Sequence, residues 1–497
     1  MNRPLSISLV ACLLIVPLTR VFASFFDRAT LTVDGKVVSV IVEDLNEDER
    51  QDILAVYTTG HSPDTERWLA VFWQSEGSVF DPNPNQTWRV DPEAAVLDVG
   101  DISSDFGQEI VYLCGDGVHF YGQSGGAFVA ESRTLFETST LFLLSEEDDL
   151  PVWDFAKEIC PDEGNEVLVP SFGEASLWCQ REEWRYTLRQ RFPLETSTRV
   201  YAETPGDNSS YSLRADYRVP RVEAKDFDND GRTDVLACWE DNLDVFLQRE
   251  GGAFRAIPDH ELRMALRTEE ELENEEVDVL VSVHDLNGDG HMDVVANRMK
   301  GGLANATTQT SLFLCRGGGS FPETPDQLMA AENAVSEPYL VDVNGDDRLD
   351  LIQPEVKMGI KSVVSMLLMK KFDMNFLVHL NRGDGLFPEE PDYSTKVGFK
   401  IDFTRRGGSA SPLIEFEGDY NGDGRKDLAV GTKEDELSIF FGDKHKVFTK
   451  NPQVQEKVET SSHVVAKDFN GDGKTELLLF YPEQRELNTH IVLFWPK

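Results

Sequence analysis

The chain has 497 residues and a formal net charge of −42, from 89 acidic and 47 basic side chains. A surplus this acidic lacks the basic footprint of a nucleic-acid binder, so no nucleic-acid partner is expected. Beyond the N-terminal region no stretch approaches the ~18 apolar residues of a membrane-spanning helix, and no transmembrane span is expected.

At the N-terminus, Arg3 precedes an apolar run from Leu5 to Leu18, and Val21-Phe22-Ala23 fits a small-residue cleavage site. Residues 1–23 therefore read as a signal peptide, with 24–497 as a single domain. That places the protein outside the cytoplasm: secreted, periplasmic or on the cell surface. Leu9-Val10-Ala11-Cys12 loosely matches a lipoprotein box, but the apolar run continues past Cys12. Five cysteines remain: Cys114, Cys160, Cys179, Cys238 and Cys315. They show no metal-ligand spacing. Cys114 and Cys238 read as buried thiols in apolar strands. A disulfide involving Cys160 is left open by the sequence.

From residue 44 onward one nine-residue phrase keeps returning. It begins at Asp44, Asp101, Asp226, Asp285, Asp342, Asp419 and Asp468. Oxygen-bearing side chains stand at offsets 0, 2, 4 and 8. The sets are Asp44, Asn46, Asp48, Asp52; Asp101, Ser103, Asp105, Glu109; Asp226, Asp228, Asp230, Asp234; Asp285, Asn287, Asp289, Asp293; Asp342, Asn344, Asp346, Asp350; Asp419, Asn421, Asp423, Asp427; and Asp468, Asn470, Asp472, Glu476. Oxygens at this spacing suit a hard cation such as Ca2+, so up to seven structural calcium sites are expected. Offset 6 varies among Arg232, His291, Arg348, Arg425 and Lys474, as befits a ligand acting through its backbone carbonyl. Glycine at offset 5 (Gly231, Gly290, Gly424, Gly473) permits the tight turn. An EF-hand would need a glutamate at loop position 12, where Ala237, Ala296, Gln353, Val430 and Leu479 stand instead. Short apolar runs flank each loop, so the unit is strand, metal loop, strand.

The spacing from 101 to 226 is twice the usual interval and has room for a worn copy near Asp154, with strands but no ligand register. Aromatics recur downstream of each loop at Phe80, Phe128, Trp184, Phe254, Phe321, Phe387 and Phe448. The last unit ends before reaching its own, and Ser24-Phe25-Phe26 looks like the missing piece. About 60 residues and four strands per repeat predict an all-β fold: a β-propeller of four-stranded antiparallel blades. Eight blades are favoured over seven, closed by the N-terminal strand. The repeated residues resemble the FG-GAP/VCBS-type repeat family, whose calcium-loop propellers include that of integrin alpha subunits. That resemblance implies the same disc. The loops at 44, 101 and 342 depart from it at Glu49, at Ser103 and Phe106, and at Asp347.

Two insertions stand out. Residues 181–221 carry eight arginines and interleaved tyrosines, and Arg185, Arg189, Arg191, Tyr201, Tyr211, Tyr217 and Arg218 are the candidate partner-binding residues. Residues 356–372 read as a Met-rich, Lys-flanked helix suited to covering a blade or touching a membrane surface. His260–Glu276 reads as a charged, solvated helix-like stretch. No catalytic motif emerges. The expected function is a non-catalytic, calcium-stabilised scaffold for a protein or glycan ligand, with adhesion as the biological setting. The alternative is a polysaccharide-cleaving lyase or glycosidase on the same disc.

Overall fold

The computed structural model describes residues 24–497 apart from 62–63, 78–79, 143–149, 162–163, 182–183, 204–211, 275–276, 302–305, 333–335, 358–367, 369 and 401–412. Its second strands show why the chain stacks as it does. Asp52–Thr59 runs Ile53-Leu54-Ala55-Val56 with no exposed surface on either side. Ile53, Ala55 and Tyr57 pack against Leu478, Phe480 and Leu493, whereas Leu54 and Val56 pack against Leu97, Ile110 and Tyr112. Alternate side chains thus serve two different neighbours, and a sheet buried on both faces reads as a continuous apolar run.

Eight four-stranded antiparallel sheets arise this way. Their first strands are Lys36–Glu43, Val96–Gly100, Ala156–Lys157, Arg221–Lys225, Val277–His284, Tyr339–Val341, Ile414–Glu415 and His463–Lys467. Each sheet is one blade, with strands A to D ordered from the axis outward. The A strands are cross-linked around the axis. Lys467 Nζ donates to Val42 O at 2.9 Å, Lys225 Nζ to Val283 O at 3.1 Å, and Phe155 N to Asp98 Oδ2 at 2.7 Å. At the rim, aromatics wedge between blades: Phe80 on Trp495, Phe128 on Trp88 and Phe254 on Phe192, with ring centroids 6.4, 5.5 and 5.3 Å apart. These are recurring aromatics of the sequence, each leaning on the preceding blade.

The ring closes as the sequence predicts. Phe26–Thr32 pairs with His490–Pro496 from Phe26↔Pro496 to Thr32↔His490, forming the outer strand of blade 8. Phe25 adds a contact to Phe441 of blade 7.

Elsewhere the structure differs from the sequence reading. His260–Arg263 is the outer strand of blade 4 rather than the start of a helix. Only Glu269–Asn274 is helical. Thr268 and Glu271 cap it reciprocally, Glu271 N donating to Thr268 Oγ1 and Thr268 N to Glu271 Oε2. Glu271 is buried against Arg298 and Lys300, so the stretch is anchored rather than simply solvated. The insertion at 356–372 lies mostly outside the described residues, at 358–367 and 369. Between blades 3 and 4 stands an extra hairpin, Ser197–Glu203 paired with Ser212–Arg218. No helix among the described residues is long and apolar enough to cross a membrane.

Removing residues 24–32 would strip blade 8 of its outer strand and take Leu31, which has no exposed surface, out of the core. The truncated chain is expected to melt at least about 10 °C lower, because several buried side chains and a full strand ladder are lost together. Differential scanning calorimetry checks this, and an unchanged melt would refute the role of closure.

Candidate functional site

Every loop is built on a buried carboxylate. The acid at offset 8 opens the second strand and has no exposed surface in any blade: Asp52, Glu109, Glu166, Asp234, Asp293, Asp350, Asp427 and Glu476. In each it accepts the N–H of the residue seven positions earlier: Leu45, Ile102, Ile159, Phe227, Leu286, Val343, Tyr420 and Phe469. In five blades its other oxygen accepts an N–H from the end of strand C, as from Gln74, Gln248, Cys315, Asn381 and Gly442. The acid therefore clamps both sides of the turn.

The rest of the loop coils over it. Asp285 gathers the N–H groups of Gly288, Asp289 and Gly290 at 2.8, 3.2 and 2.9 Å, and Asp419 does the same with Gly422, Asp423 and Gly424. Asn287 and Asn421 accept from the residue at offset 4, whose carboxylate in turn accepts from His291 and Arg425. The coil needs left-handed backbone at offsets 3 and 5, as at Gly288 and Gly290 with φ of 72° and 85°. Glu49 and Asp347 adopt φ of 66° and 62° at the same offset without glycine's freedom.

Oxygens converge as a result. Asp226, Asp228 and Asp230 bring ligand atoms within 4.8 Å of one another, as do Asp468, Asp472 and Glu476. Asp228 Oδ1 is buried without a hydrogen-bond partner. An all-oxygen donor set with an unsatisfied buried acceptor fits a hard divalent cation. The offset-6 arginines bridge the coil and the end of strand C: Arg232 Nε reaches Gln248 O and Arg50 Nε reaches Gln74 O, both at 3.0 Å. Their guanidinium groups also pair with Asp230 and Asp48. Arg348 pairs with Asp346, and Lys474 Nζ reaches Lys497 O.

Blade 2 is different. Ser103 Oγ donates to Glu109 Oε1 at 2.6 Å, and Asp105 pairs with Arg133. Its positive φ falls at Gly107 rather than at offset 5, where Phe106 is exposed. This loop spends its oxygens inside the chain. In blade 3 the structure supplies a register that the sequence reading lacked. Ile159 N to Glu166 Oε2 repeats the seven-residue clamp, so the copy runs from Glu158 to Glu166 rather than from Asp154. The apolar run Val167-Leu168-Val169 follows Glu166 as the second strands follow the offset-8 acid in the other blades. Cys160 stands where the other copies carry an oxygen at offset 2.

The loops also join blades. Gln123 Nε2 donates to Leu45 O, Gln248 Nε2 to Ile159 O and Asn381 Nδ2 to Leu286 O, at 2.5, 2.6 and 2.6 Å. In each case a strand-C amide grips the loop of the preceding blade.

Among the candidate partner residues, two arginines are engaged within the chain. Arg189 reaches the Gly251 and Gly252 carbonyls of blade 4, and Arg191 pairs with Glu174. Arg185 is exposed on the same outer strand, Arg185–Pro193. Tyr201 lies on the first strand of the hairpin, Tyr217 and Arg218 end its second, and Tyr211 is outside the described residues. Strand order puts the A–B loops on one face of the disc and the B–C and D–A connections on the other. On that second face, at the foot of the hairpin, a cleft of about 680 Å3 is lined by Thr198, Arg218, Trp239, Glu240, Arg267 and Asp278, among others. Arg267 is held by Glu240 and Asp241.

Burial pushes the strand-opening acids up, to about 7 for Asp52, Glu109, Asp350, Asp427 and Glu476 and about 6 for Asp234 and Asp293. Between their ordinary values and these, the folded state holds protons that the unfolded chain has released. Stability of the ion-free chain therefore falls as pH rises through that window. Melts of chelator-treated protein are expected to be highest near pH 5 and lowest above pH 7.5. Separately, Glu49→Gly relieves left-handed strain and is expected to stabilise by about 0.5–1 kcal/mol, read as a shift in denaturation midpoint.

Residues 226–296, 285–352 and 419–479 match the FG-GAP-like repeat. No curated protein matches the chain in sequence. Among solved structures, an Agrocybe aegerita lectin recognising non-reducing terminal N-acetylglucosamine is 15% identical, covering 94% of this chain and 98% of its own, with a TM-score of 0.41. Sqt1 from Chaetomium thermophilum is 11% identical over 93% of this chain and 97% of its own, with a TM-score of 0.44. The NanB sialidase of Streptococcus pneumoniae is 7% identical over 94% of this chain and 70% of its own, with a TM-score of 0.30. The chain carries FG-GAP-like repeats, and they build an eight-bladed β-propeller.

Proposed function

We propose that the protein is a secreted or cell-envelope, calcium-stabilised propeller that binds a carbohydrate in the cleft at the foot of the hairpin, without chemistry. The observation that carries this reading is the lining of that cleft. Threonines, acidic residues and arginines line it together with Trp239, which is half-buried. Paired donors and acceptors beside one apolar platform suit a polyhydroxylated ring, whose faces are apolar and whose rim is polar. A surface-exposed partner protein is the other ligand class this cleft would serve. A cleaving enzyme would need a raised acid beside the ligand. The raised acids of the loops serve turn clamping on the opposite face.

Calcium has a separate, structural part. Loops at 226, 285, 419 and 468 have the regular coil and full oxygen set, and Glu49 and Asp347 strain the loops at 44 and 342. Bound calcium would displace protons from the raised acids, so its stabilisation grows with pH. The N-terminal apolar run, read as a leader, directs the chain to a calcium-containing compartment.

Trp239→Ala is expected to weaken glycan capture at least about tenfold while leaving the melt unchanged within ~2 °C, since its ring supplies stacking rather than core. A glycan array with added calcium, followed by titration of the best hit against this variant, measures it. Equal capture by both chains would refute the cleft. In the same buffer, chelation should lower the melting temperature more at pH 8 than at pH 5.5. A chelator with no effect at either pH would refute the calcium assignment.

A further inference from the structure

Blade 3 lacks an oxygen at the second ligand position, and what stands there is Cys160. Its Sγ lies 2.8 Å from Sγ of Cys179, on strand Glu174–Arg181 of the same blade. Both side chains are sealed from solvent, 6% and 2% exposed, in a cluster with Leu177, Phe192 and Phe246. Two thiolates on one zinc ion at ~2.3 Å would stand about 3.8 Å apart, so this pair is too close for a shared metal. The nearby Glu166 carboxylate already accepts the N–H groups of Ile159 and Cys160. The Cys160 contact and burial also push the Cys179 thiol up, which opposes a thiolate ligand. Cys114 and Cys238 belong to separate clusters.

We propose that Cys160 and Cys179 form a disulfide that replaces the cation of blade 3. It bonds the turn between strands A and B to strand C, the same two elements that the buried acid clamps in other blades. The two thiols lose two protons and two electrons. An oxidised small-molecule disulfide such as oxidised glutathione accepts them and leaves as two thiols. The bond forms as the chain folds, before the cluster closes around it. Five blades would then join the turn to strand C through a carboxylate and blade 3 through sulfur, so chelators and reductants would loosen different parts of the ring.

The test uses the full chain, reduced and unfolded, then refolded with calcium in either glutathione redox buffer or dithiothreitol. After alkylation in denaturant and non-reducing digestion, mass spectrometry should recover a Cys160–Cys179 linked peptide from the glutathione sample, two hydrogens lighter than the free pair. Cys114, Cys238 and Cys315 should be alkylated. Recovery of Cys160 and Cys179 as alkylated peptides overturns the proposal. The glutathione-refolded chain should melt about 5 °C above the dithiothreitol-refolded one. Cys179→Ser should show no difference between the two buffers. A difference that persists in Cys179→Ser would overturn the assignment. One equivalent of zinc retained by the native chain and lost from Cys179→Ser would do the same.

Discussion

A carboxylate buried at the mouth of every second strand is the constraint on which the disc depends. Burying an acid is costly unless its oxygens are occupied, and the fold occupies them with backbone N–H groups that would otherwise be orphaned in the turn. The Asp234 carboxylate thus closes the Asp226 loop through Phe227 N and fixes the end of strand C through Gln248 N. Gln248 then turns its amide to the Ile159 carbonyl of blade 3. One acid sets the turn, the turn sets the strand end, and the strand end sets the neighbouring blade. Loop chemistry and blade stacking are one network.

Much of this was legible because the repeat is a ruler. Fixed offsets such as Asp419, Asn421, Asp423 and Asp427 gave the turn, its apolar flanks gave the strands, and Ser24-Phe25-Phe26 completed the last blade. What the sequence hid are features that depend on distance in space. Glu158 to Glu166 escaped notice because Cys160 breaks the oxygen pattern, although the buried acid and the apolar run after it are intact. Arg189 and Arg191, read as candidates for a partner, also engage Gly251, Gly252 and Glu174 of the chain itself. A stretch of arginines has the same composition whether its partners lie within the chain or outside it. The cleft at Trp239 is assembled from two blades and a hairpin, and no local pattern marks it.

The two faces follow different rules. On the loop face the backbone repeats itself blade after blade, and substitutions are absorbed locally: Arg133 pairs with Asp105 in blade 2, and Cys160 stands in place of an oxygen-bearing residue in blade 3. The opposite face carries the hairpin, the Thr268–Glu271 cap and the cleft. Regularity on one side releases the other to vary, as on other rigid scaffolds that carry function on loops.

Closure by Phe26–Thr32 also sets an order of events in synthesis. Seven residues near the start of the chain pair with His490–Pro496, more than 450 positions away. They emerge before the other strands of the propeller and must wait until those have been made. Intermediate blades can stack on local contacts in the meantime, but the ring remains open with two unprotected sheet edges. The last event is the joining of distant ends, whose entropic cost is repaid only when the strand ladder forms. Assembly is therefore governed by a latch that is made before the other strands and fastened after them.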